Sequence, residues 1–275
     1  SKDCVLILTE GDSAMAYVSS GLKSFPEAKQ RKIGTYPLRG KMLNAREATA
    51  KQLADNAEIT DLKKILGLKQ NTDYTEEKNF NTLRYGAIWV LTDADLDGAH
   101  IKGLVMNFIH SQWPSLIERS PEFIKSIKMY AVKVWQWKDK KAGTRTNTRT
   151  FETVNEFNKW SSTIEEKDLK KYEVKYYKGL GTYLSTDAED DFKKVREIRY
   201  QHDEETDEHM KLAFDKKYSD ARKQWLGNFD PNSIEELTID HESYSDFIDK
   251  RLIEFSNSDN IRSIPSMIDG LKPSQ

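Results

Sequence analysis

The most constraining feature of the sequence is an apolar run that ends in three closely spaced aspartates. Residues 86–92 read Gly-Ala-Ile-Trp-Val-Leu-Thr, a pattern typical of a buried strand. Asp93, Asp95 and Asp97 follow directly, and residues 99–109 are predicted to form a helix. Strand and helix alternate in the same way at the start of the chain. The sequence therefore predicts an α/β layer with a mainly parallel sheet.

The three aspartates suit a divalent metal ion. Residues two apart in a strand point to the same side, so Asp93 and Asp95 are predicted to project together from the strand's carboxyl end. Clustered carboxylates repel one another unless a positive charge lies between them, and hard oxygen ligands suit Mg²⁺. The alternative is a solvated turn in which Asp97 caps the following helix. An EF-hand loop is excluded, because its twelfth position requires Glu and the chain has Leu104 there.

A fourth acid is predicted to join this group from the first strand. Residues 4–8 are apolar, Glu10 follows them, and a glycine-containing turn leads into the predicted helix of residues 14–22. In parallel α/β sheets, sites form beyond the carboxyl ends of the strands. Glu10, Asp93 and Asp95 therefore converge if their two strands are neighbours.

Other classes of protein are excluded or disfavoured. The sequence has no G-x-x-x-x-G-K phosphate loop, and its five histidines are scattered, which argues against a P-loop NTPase and a zinc site. Cys4 lies in an apolar run and is predicted to be a core residue. Without a signal peptide or an apolar run of roughly 20 residues, the protein is predicted to be soluble and intracellular. Its abrupt ends predict a piece of a longer protein.

Two segments are predicted to face phosphate groups. The chain carries 43 basic and 45 acidic residues, a net charge of −2, so a polyanion site must be a local patch. Residues 28–46 contain six basic residues and no acid, which favours a phosphate-facing patch with Arg39, Lys41 and Asn44 over a solvated loop. Lys178 precedes Gly-Leu-Gly, which fits either backbone held close to phosphate or a glycine-rich turn without a ligand.

Hydrophobic periodicity predicts the remaining elements. Residues 123–137 alternate like a strand, and the charged tip at 138–150 completes a predicted hairpin. Residues 187–226 are heavily charged and are predicted to form a helical connector. The other predicted elements are helices at residues 46–53, 57–66, 153–160 and 244–255 and a strand at residues 172–177.

Six segments occur in the order found in one known family. They are Glu10-Gly-Asp-Ser-Ala14, Pro37-Leu-Arg-Gly-Lys-Met-Leu-Asn44, Asp93-x-Asp95-x-Asp97-Gly98, His100-Ile-Lys102, Tyr177-Lys-Gly-Leu-Gly-Thr182 and Asp259-Asn-x-Arg-Ser-Ile-Pro265. On these segments the chain resembles the TOPRIM region and adjoining start of the DNA-cleavage core of type II DNA topoisomerases. It is more similar to the single-chain enzymes of eukaryotes and large DNA viruses than to bacterial gyrase, which divides these segments between two subunits. The resemblance covers nearly the whole chain.

The resemblance implies a Rossmann-like TOPRIM fold, with a mainly parallel sheet flanked by helices. A mostly helical connector then leads to a truncated winged-helix module. The implied domains are a TOPRIM metal-binding domain at residues 1–184 with an insert at about 123–171, a charged connector at 185–240, and the start of the winged-helix breakage-reunion module at 241–275.

The resemblance also implies an ATP-dependent enzyme that changes DNA topology by double-strand cleavage, strand passage and religation. Glu10 and Asp93 would bind one Mg²⁺ and Asp93 and Asp95 a second, with Mn²⁺ or Ca²⁺ as substitutes. Asp97 would be an outer-shell candidate. The residues implied along double-stranded DNA are Arg39, Lys41, Asn44, Lys178 and Lys272.

The remaining implications concern the whole enzyme. The nucleophilic tyrosine and the ATP-binding domain are expected outside this chain, so the chain alone is expected to be inactive. The full-length protein is expected to be a homodimer without a membrane partner, in the nucleus, at a viral replication site or in a virion.

The chain departs from eukaryotic enzymes at three positions. Ala94, Leu96 and Ala99 stand where those enzymes usually carry Gln, His and Ser, but the carboxylates are intact. One alternative function is that of another TOPRIM enzyme, such as a primase or an OLD-family nuclease, although these lack the segments at 37–41 and 261–265. The other is a DNA-binding module without chemistry, which has no physical reason to retain clustered acids.

Overall fold

The strands form two sheets. The computed structural model describes residues 2–119, 123–230 and 240–269, with side chains up to Arg262. The strands are β1 (Val5–Glu10), β2 (Ile33–Leu38), β3 (Ala87–Leu91), β4 (Ile124–Ile127), β5 (Val132–Asp139), β6 (Thr144–Phe151), β7 (Glu173–Tyr176), β8 (Glu197–Gln201) and β9 (His241–Ser243).

The main sheet has six strands in the order β2-β1-β3-β4-β8-β9. Strand β1 pairs in parallel with β2 and β3, and β3 pairs in parallel with β4. Strand β8 runs antiparallel to β4, and β9 is parallel to β8. The predicted mainly parallel sheet is confirmed. The register sets Thr9 opposite Leu91, so the carboxyl ends of β1 and β3 lie at the same edge.

The helices connect these strands, with short 3₁₀ segments at Leu180–Thr182 and Lys216–Tyr218 and a π-helical turn at Ile248–Leu252. The α-helices are α1 (Gly11–Leu22), α2 (Glu27–Gln30), α3 (Ala50–Asp55), α4 (Ala57–Leu66), α5 (Glu77–Phe80), α6 (Leu96–Gln112), α7 (Pro114–Glu118), α8 (Val154–Ser162), α9 (Glu166–Leu169), α10 (Ser185–Lys193), α11 (Thr206–Phe214), α12 (Ser219–Gly227), α13 (Tyr244–Phe247) and α14 (Ile253–Asp269). No helix of the described residues is long and apolar enough to cross a membrane.

Hydrophobic cores lie on both faces of the main sheet. Leu6 and Leu8 of β1 pack in one core with Leu104 and Phe108 of α6. Ile7 belongs to a second core, with side chains of α1 and α10. This alternation follows from the two-residue period of a strand. Because both faces are covered, β1 and β3 require the nearly continuous apolar runs seen in the sequence.

A second, antiparallel sheet has the order β6-β5-β7. Val132, Val134, Phe151 and Phe157 form its own small core against α8. The predicted hairpin is confirmed as β5 and β6, but the tip predicted at residues 138–150 is wrong from Thr144 onward, because β6 begins there. However, residues 123–137 do not form one strand, because β4 belongs to the main sheet and β5 to the second.

Strand β8 lies inside the segment predicted to be helical at residues 187–226, so that prediction is wrong at residues 197–201. Tyr200 is 1% exposed and its hydroxyl lies 2.9 Å from Ser126 Oγ of β4. Ile198 also packs against the larger core. The two apolar residues alternate with charged neighbours, a strand signal that the high charge of the segment obscured.

Several helix boundaries also differ from the prediction. The helix predicted from residue 46 begins at Ala50, because Thr49 and Gln52 form a capping box. The helix predicted at residues 244–255 continues through the π-helical turn and α14 to Asp269. The proposed winged-helix start at residues 241–275 stays a prediction.

Candidate metal centre

Glu10 and Asp93 meet at the carboxyl edge of the main sheet. Glu10 is the last residue of β1, and Asp93 follows shortly after the end of the neighbouring β3. The backbone N–H of Asp93 donates a hydrogen bond to Glu10 Oε2 at 3.2 Å. Parallel pairing therefore brings together two acids that are 83 residues apart in the sequence.

The electrostatics of this edge favour a cation. Burial raises the pKa of Glu10, the Asp93 N–H lowers it, and the negative charges of Asp93 and Asp95 raise it again. Burial also raises the pKa of Asp93, with a further contribution from Asp95, against the effect of a hydrogen bond from Leu180. A cation among these oxygens would relieve the repulsion, and an all-oxygen donor set is what Mg²⁺ prefers.

The acids are neighbours but do not form a closed ligand shell. Among the described residues, no three His, Cys, Asp or Glu side chains are gathered closely enough to make a preassembled metal site. A magnesium ion typically keeps several waters and binds proteins through one or two carboxylates together with substrate phosphates. The donor chemistry of this edge therefore fits Mg²⁺ held partly by a phosphate.

Asp95 and Asp97 have different local roles. Asp95 Oδ1 accepts a hydrogen bond from the Gly98 N–H at 2.8 Å, so Asp95, and not Asp97, caps α6. A Cβ at position 98 would lie 2.3 Å from the Asp93 carbonyl oxygen, which restricts this turn to glycine. Asp97 forms an ion pair with Lys41 at 2.8 Å, and the hydrogen bond from Lys41 lowers the pKa of Asp97.

The glycine-containing loop after β7 contacts Asp93 directly. The Leu180 N–H donates to Asp93 Oδ1 at 2.7 Å. A Cβ at position 179 would lie 2.9 Å from Asp93 Oδ2, so Gly179 is needed for this close approach. The sequence left two interpretations of this loop open, a backbone held close to phosphate and a glycine-rich turn without a ligand, and the contact with Asp93 could not be read from it. Lys178 is exposed beside this contact.

The residues predicted to lie along DNA differ in their exposure and in their hydrogen bonds. Arg39 is exposed, and its backbone N–H donates to Glu58 at 2.8 Å. Asn44 is used within the protein, since its amide donates to the Phe214 carbonyl at 2.9 Å and accepts from Asn107 at 2.8 Å. A DNA contact of Asn44 stays a prediction that would require breaking these bonds. Lys272 lies outside the described residues.

Arg46 belongs to the basic segment predicted to face phosphate, but the structure turns it inward. Its guanidinium donates to Asn107 Oδ1 at 3.0 Å and lies 2.6 Å from His110 Nδ1. His110 Nε2 lies 2.7 Å from Asp207 of α11. Burial lowers the pKa of both Arg46 and His110. The partners come from α6 and α11, so no local pattern near residue 46 could have revealed them.

Known proteins resemble this chain over its whole length. Residues 5–130 match the Toprim domain family, and residues 128–260 match the C-terminal associated domain of TOPRIM. Rat DNA topoisomerase 2-alpha is 45% identical over 290 aligned residues, which cover 100% of this chain and 18% of that protein. The mitochondrial DNA topoisomerase 2 of Dictyostelium discoideum is 41% identical over 279 residues, covering 100% of this chain and 21% of that protein.

A solved structure agrees with these matches. The crystal structure of the Plasmodium falciparum topoisomerase II DNA-binding, cleavage and re-ligation domain superposes with a TM-score of 0.83 at 37% identity. The matched region covers 99% of this chain and 35% of the Plasmodium falciparum chain. The chain spans about a fifth of the length of the curated relatives it matches. Its two successive domains and its likeness to these proteins from end to end place the chain in the type II DNA topoisomerase family, as its TOPRIM region.

Proposed function

We propose that this chain is the Mg²⁺-binding TOPRIM part of an ATP-dependent type II DNA topoisomerase. Such an enzyme changes DNA topology by transient double-strand cleavage, strand passage and religation. The observation that carries the proposal is the direct contact between Glu10 and the Asp93 backbone at the carboxyl edge of the sheet. Two mutually repelling acids there have a physical reason to be neighbours if a cation joins them.

In this proposal three acids bind two Mg²⁺ ions. Glu10 and Asp93 hold one Mg²⁺, Asp93 and Asp95 hold a second, and Mn²⁺ or Ca²⁺ can substitute. When bound, the metal stabilises the charge that develops on the scissile phosphate and the leaving 3′-oxygen. The Leu180 N–H orients Asp93, and the capping bond to Gly98 orients Asp95. Asp97 contributes from the outer shell.

Double-stranded DNA is the proposed substrate, and Lys178 is the cation best placed to hold a phosphate beside the acids. It is exposed, it adjoins the loop that touches Asp93, and no ion pair engages it within the described residues. Lys41 is the second candidate, although a phosphate there competes with Asp97. Arg39 extends this basic edge. Because the loop after β7 completes the site, we place the end of the functional TOPRIM unit at residue 184.

The remaining parts of the proposed enzyme lie outside these 275 residues. They are the nucleophilic tyrosine and the ATP-binding domain, and the full-length protein is proposed to be a homodimer that works in the nucleus or at a viral replication site. The relatives support this proposal, because their names describe DNA topoisomerases and a DNA-binding, cleavage and re-ligation domain.

A Mg²⁺ titration followed by NMR tests the metal assignment. We expect the side-chain carboxyl resonances of Glu10, Asp93 and Asp95 to shift together along one binding curve. The affinity should be weak without DNA, because a phosphate normally completes the coordination of Mg²⁺. Shifts confined to exposed acids elsewhere, such as Asp190 of α10, would contradict the assignment.

Replacing Lys178 with Ala should weaken DNA binding about equally on different sequences. A phosphate contact positions DNA without reading its bases, and its loss should reduce the slope of log K against log salt by about 1. Fluorescence anisotropy with two unrelated duplexes at several salt concentrations measures both effects.

The matched control for this experiment is Lys167→Ala. Lys167 is exposed in α9, before the amino end of β7, whereas Lys178 follows its carboxyl end. The control should leave the affinity and the salt slope unchanged. A loss for Lys178→Ala on only one of the duplexes would argue against a phosphate contact.

A further inference from the structure

Asp187 of α10 is a buried carboxylate on which donors from three strands or strand ends converge. Its side chain has no exposed surface. Asp187 Oδ1 accepts from Lys133 Nζ of β5 at 3.0 Å and from Arg145 Nη1 of β6 at 2.6 Å. Its Oδ2 accepts from the hydroxyl of Tyr177, which follows β7, at 2.9 Å. The Asp187 side chain thus links α10 by hydrogen bonds to β5, to β6 and to the end of β7.

The carboxylate is charged despite its burial. Burial acts to raise the pKa of Asp187, but the hydrogen bonds from Arg145 and Lys133 outweigh it and hold the pKa at about 2. Lys133 is itself only 3% exposed. A buried ion of this kind requires its partners to keep fixed positions, because losing one partner leaves an uncompensated charge.

Tyr177 connects this cluster to the metal centre. It begins the loop whose Leu180 N–H donates to Asp93. The Tyr177 ring stacks on Tyr183 at a centroid distance of 4.1 Å, and the Tyr183 hydroxyl donates to the Tyr130 carbonyl at 2.5 Å. The two tyrosines therefore anchor both ends of the loop that reaches the acids.

We propose that Asp187 is a positioning residue for the candidate metal centre, acting through Tyr177 to hold the 178–182 loop against Asp93. This inference rests on the proposed metal-binding function and adds to it a residue that touches neither metal nor DNA. Its physical basis is that partners which orient a ligating carboxylate affect metal affinity, and their mutation typically costs roughly 10- to 100-fold. Asn at position 187 would present an amide where Arg145, Lys133 and Tyr177 all donate.

The test compares variants of the whole chain in two measurements. The first is Mn²⁺ affinity by electron paramagnetic resonance, and the second is the amide resonance of Leu180 in an NMR spectrum. We expect Asp187→Asn to lower Mn²⁺ affinity about ten-fold and to shift the Leu180 amide toward the position of an unbonded amide. Tyr177→Phe removes only the linking hydroxyl and should change both readouts in the same direction.

Asp190→Asn is the matched control. Asp190 lies on the same helix but is 60% exposed, and among the residues that the structure describes it pairs only with the nearby Lys193. It should leave the Mn²⁺ affinity and the Leu180 amide unchanged. If Asp187→Asn does not fold, Tyr177→Phe decides the question alone.

The outcomes separate this inference from the proposed function. Variants that lose thermal stability but keep the Leu180 resonance and Mn²⁺ affinity, measured well below the melting temperature, would show a purely structural role and overturn the inference. Loss of Mn²⁺ binding in Asp93→Asn but not in Asp187→Asn or Tyr177→Phe would overturn the inference alone. Unchanged Mn²⁺ binding in Asp93→Asn would overturn the proposed function and the inference together.

Discussion

Replacing Asp93 with Asn is expected to remove most of the affinity of this chain for Mn²⁺. The loss should exceed the roughly 10- to 100-fold effect of removing an outer-shell partner, because Asp93 is the acid shared by both proposed metal positions. Asp93 lies between Glu10 and the Leu180 N–H, so Asn preserves the shape but not the charge. Electron paramagnetic resonance titration with Mn²⁺ measures the effect, and circular dichroism verifies the fold.

Two substitutions of the same kind serve as controls for Asp93→Asn. Asp97→Asn should cost less, because Asp97 is already compensated by Lys41 at 2.8 Å. Asp190→Asn should have no effect, because Asp190 is exposed on α10 and pairs with Lys193. A folded Asp93→Asn protein that binds Mn²⁺ like the parent would disprove the metal assignment.

The second large effect concerns covalent chemistry. We expect this chain alone to form no covalent adduct with DNA and to leave supercoiled plasmid unrelaxed. A longer chain that contains the proposed breakage-reunion module should cleave DNA in the presence of Mg²⁺. Removing one preorganised electrostatic group costs on the order of 10²- to 10³-fold in rate. In that longer chain, we expect Glu10→Ala to lower the cleavage rate by at least this factor.

Tyrosines that are hydrogen-bonded to Asp187 and Asp191 give a physical reason for the expected inactivity of the chain alone. Burial, with the nearby charges of Asp191 and Asp187, raises the pKa of Tyr17, Tyr130 and Tyr177 well above the usual value. Their hydroxyls also donate to those aspartates. Ionising such a hydroxyl for attack on phosphate is strongly disfavoured.

Denaturing gels with end-labelled DNA, followed by protease treatment, would detect an adduct. Plasmid relaxation provides an independent measurement. A tyrosine–DNA adduct on this chain alone would contradict the proposal, because the nucleophile would then be one of its own 12 tyrosines.

Local sequence signals were sufficient to predict that Glu10 and Asp93 follow the ends of buried strands. The apolar runs before Glu10 and Asp93 have the length and composition of strands buried on two faces, and the structure contains β1 and β3 there. Acids directly after such strands must lie at the carboxyl edge of a parallel sheet. The fold class and the expectation of neighbouring acids followed from this rule.

Local sequence signals failed for charged residues that are buried in the structure. Arg46 was predicted to belong to a phosphate-facing patch and Asp187 to a charged helical connector, because charged residues are seldom buried without partners. Arg145, a partner of Asp187, is 42 residues away from it, and His110, a partner of Arg46, is 64 residues away. Strand β8 was missed for a related reason, since its place beside β4 is decided by pairing and not by its own composition.

The sequence by itself determined the α/β class, the strand ends that carry Glu10 and Asp93, and the family segments, because each depends on the periodicity or order of residues close together in the chain. Only the tertiary structure decided that β1 and β3 are adjacent, that the Leu180 N–H reaches Asp93 and that Tyr177, at the start of that loop, donates a hydrogen bond to Asp187. These contacts depend on the order of strands in the sheets and on buried charges that several elements compensate jointly. Neither the strand order nor the joint compensation of buried charges can be predicted from a short stretch of sequence.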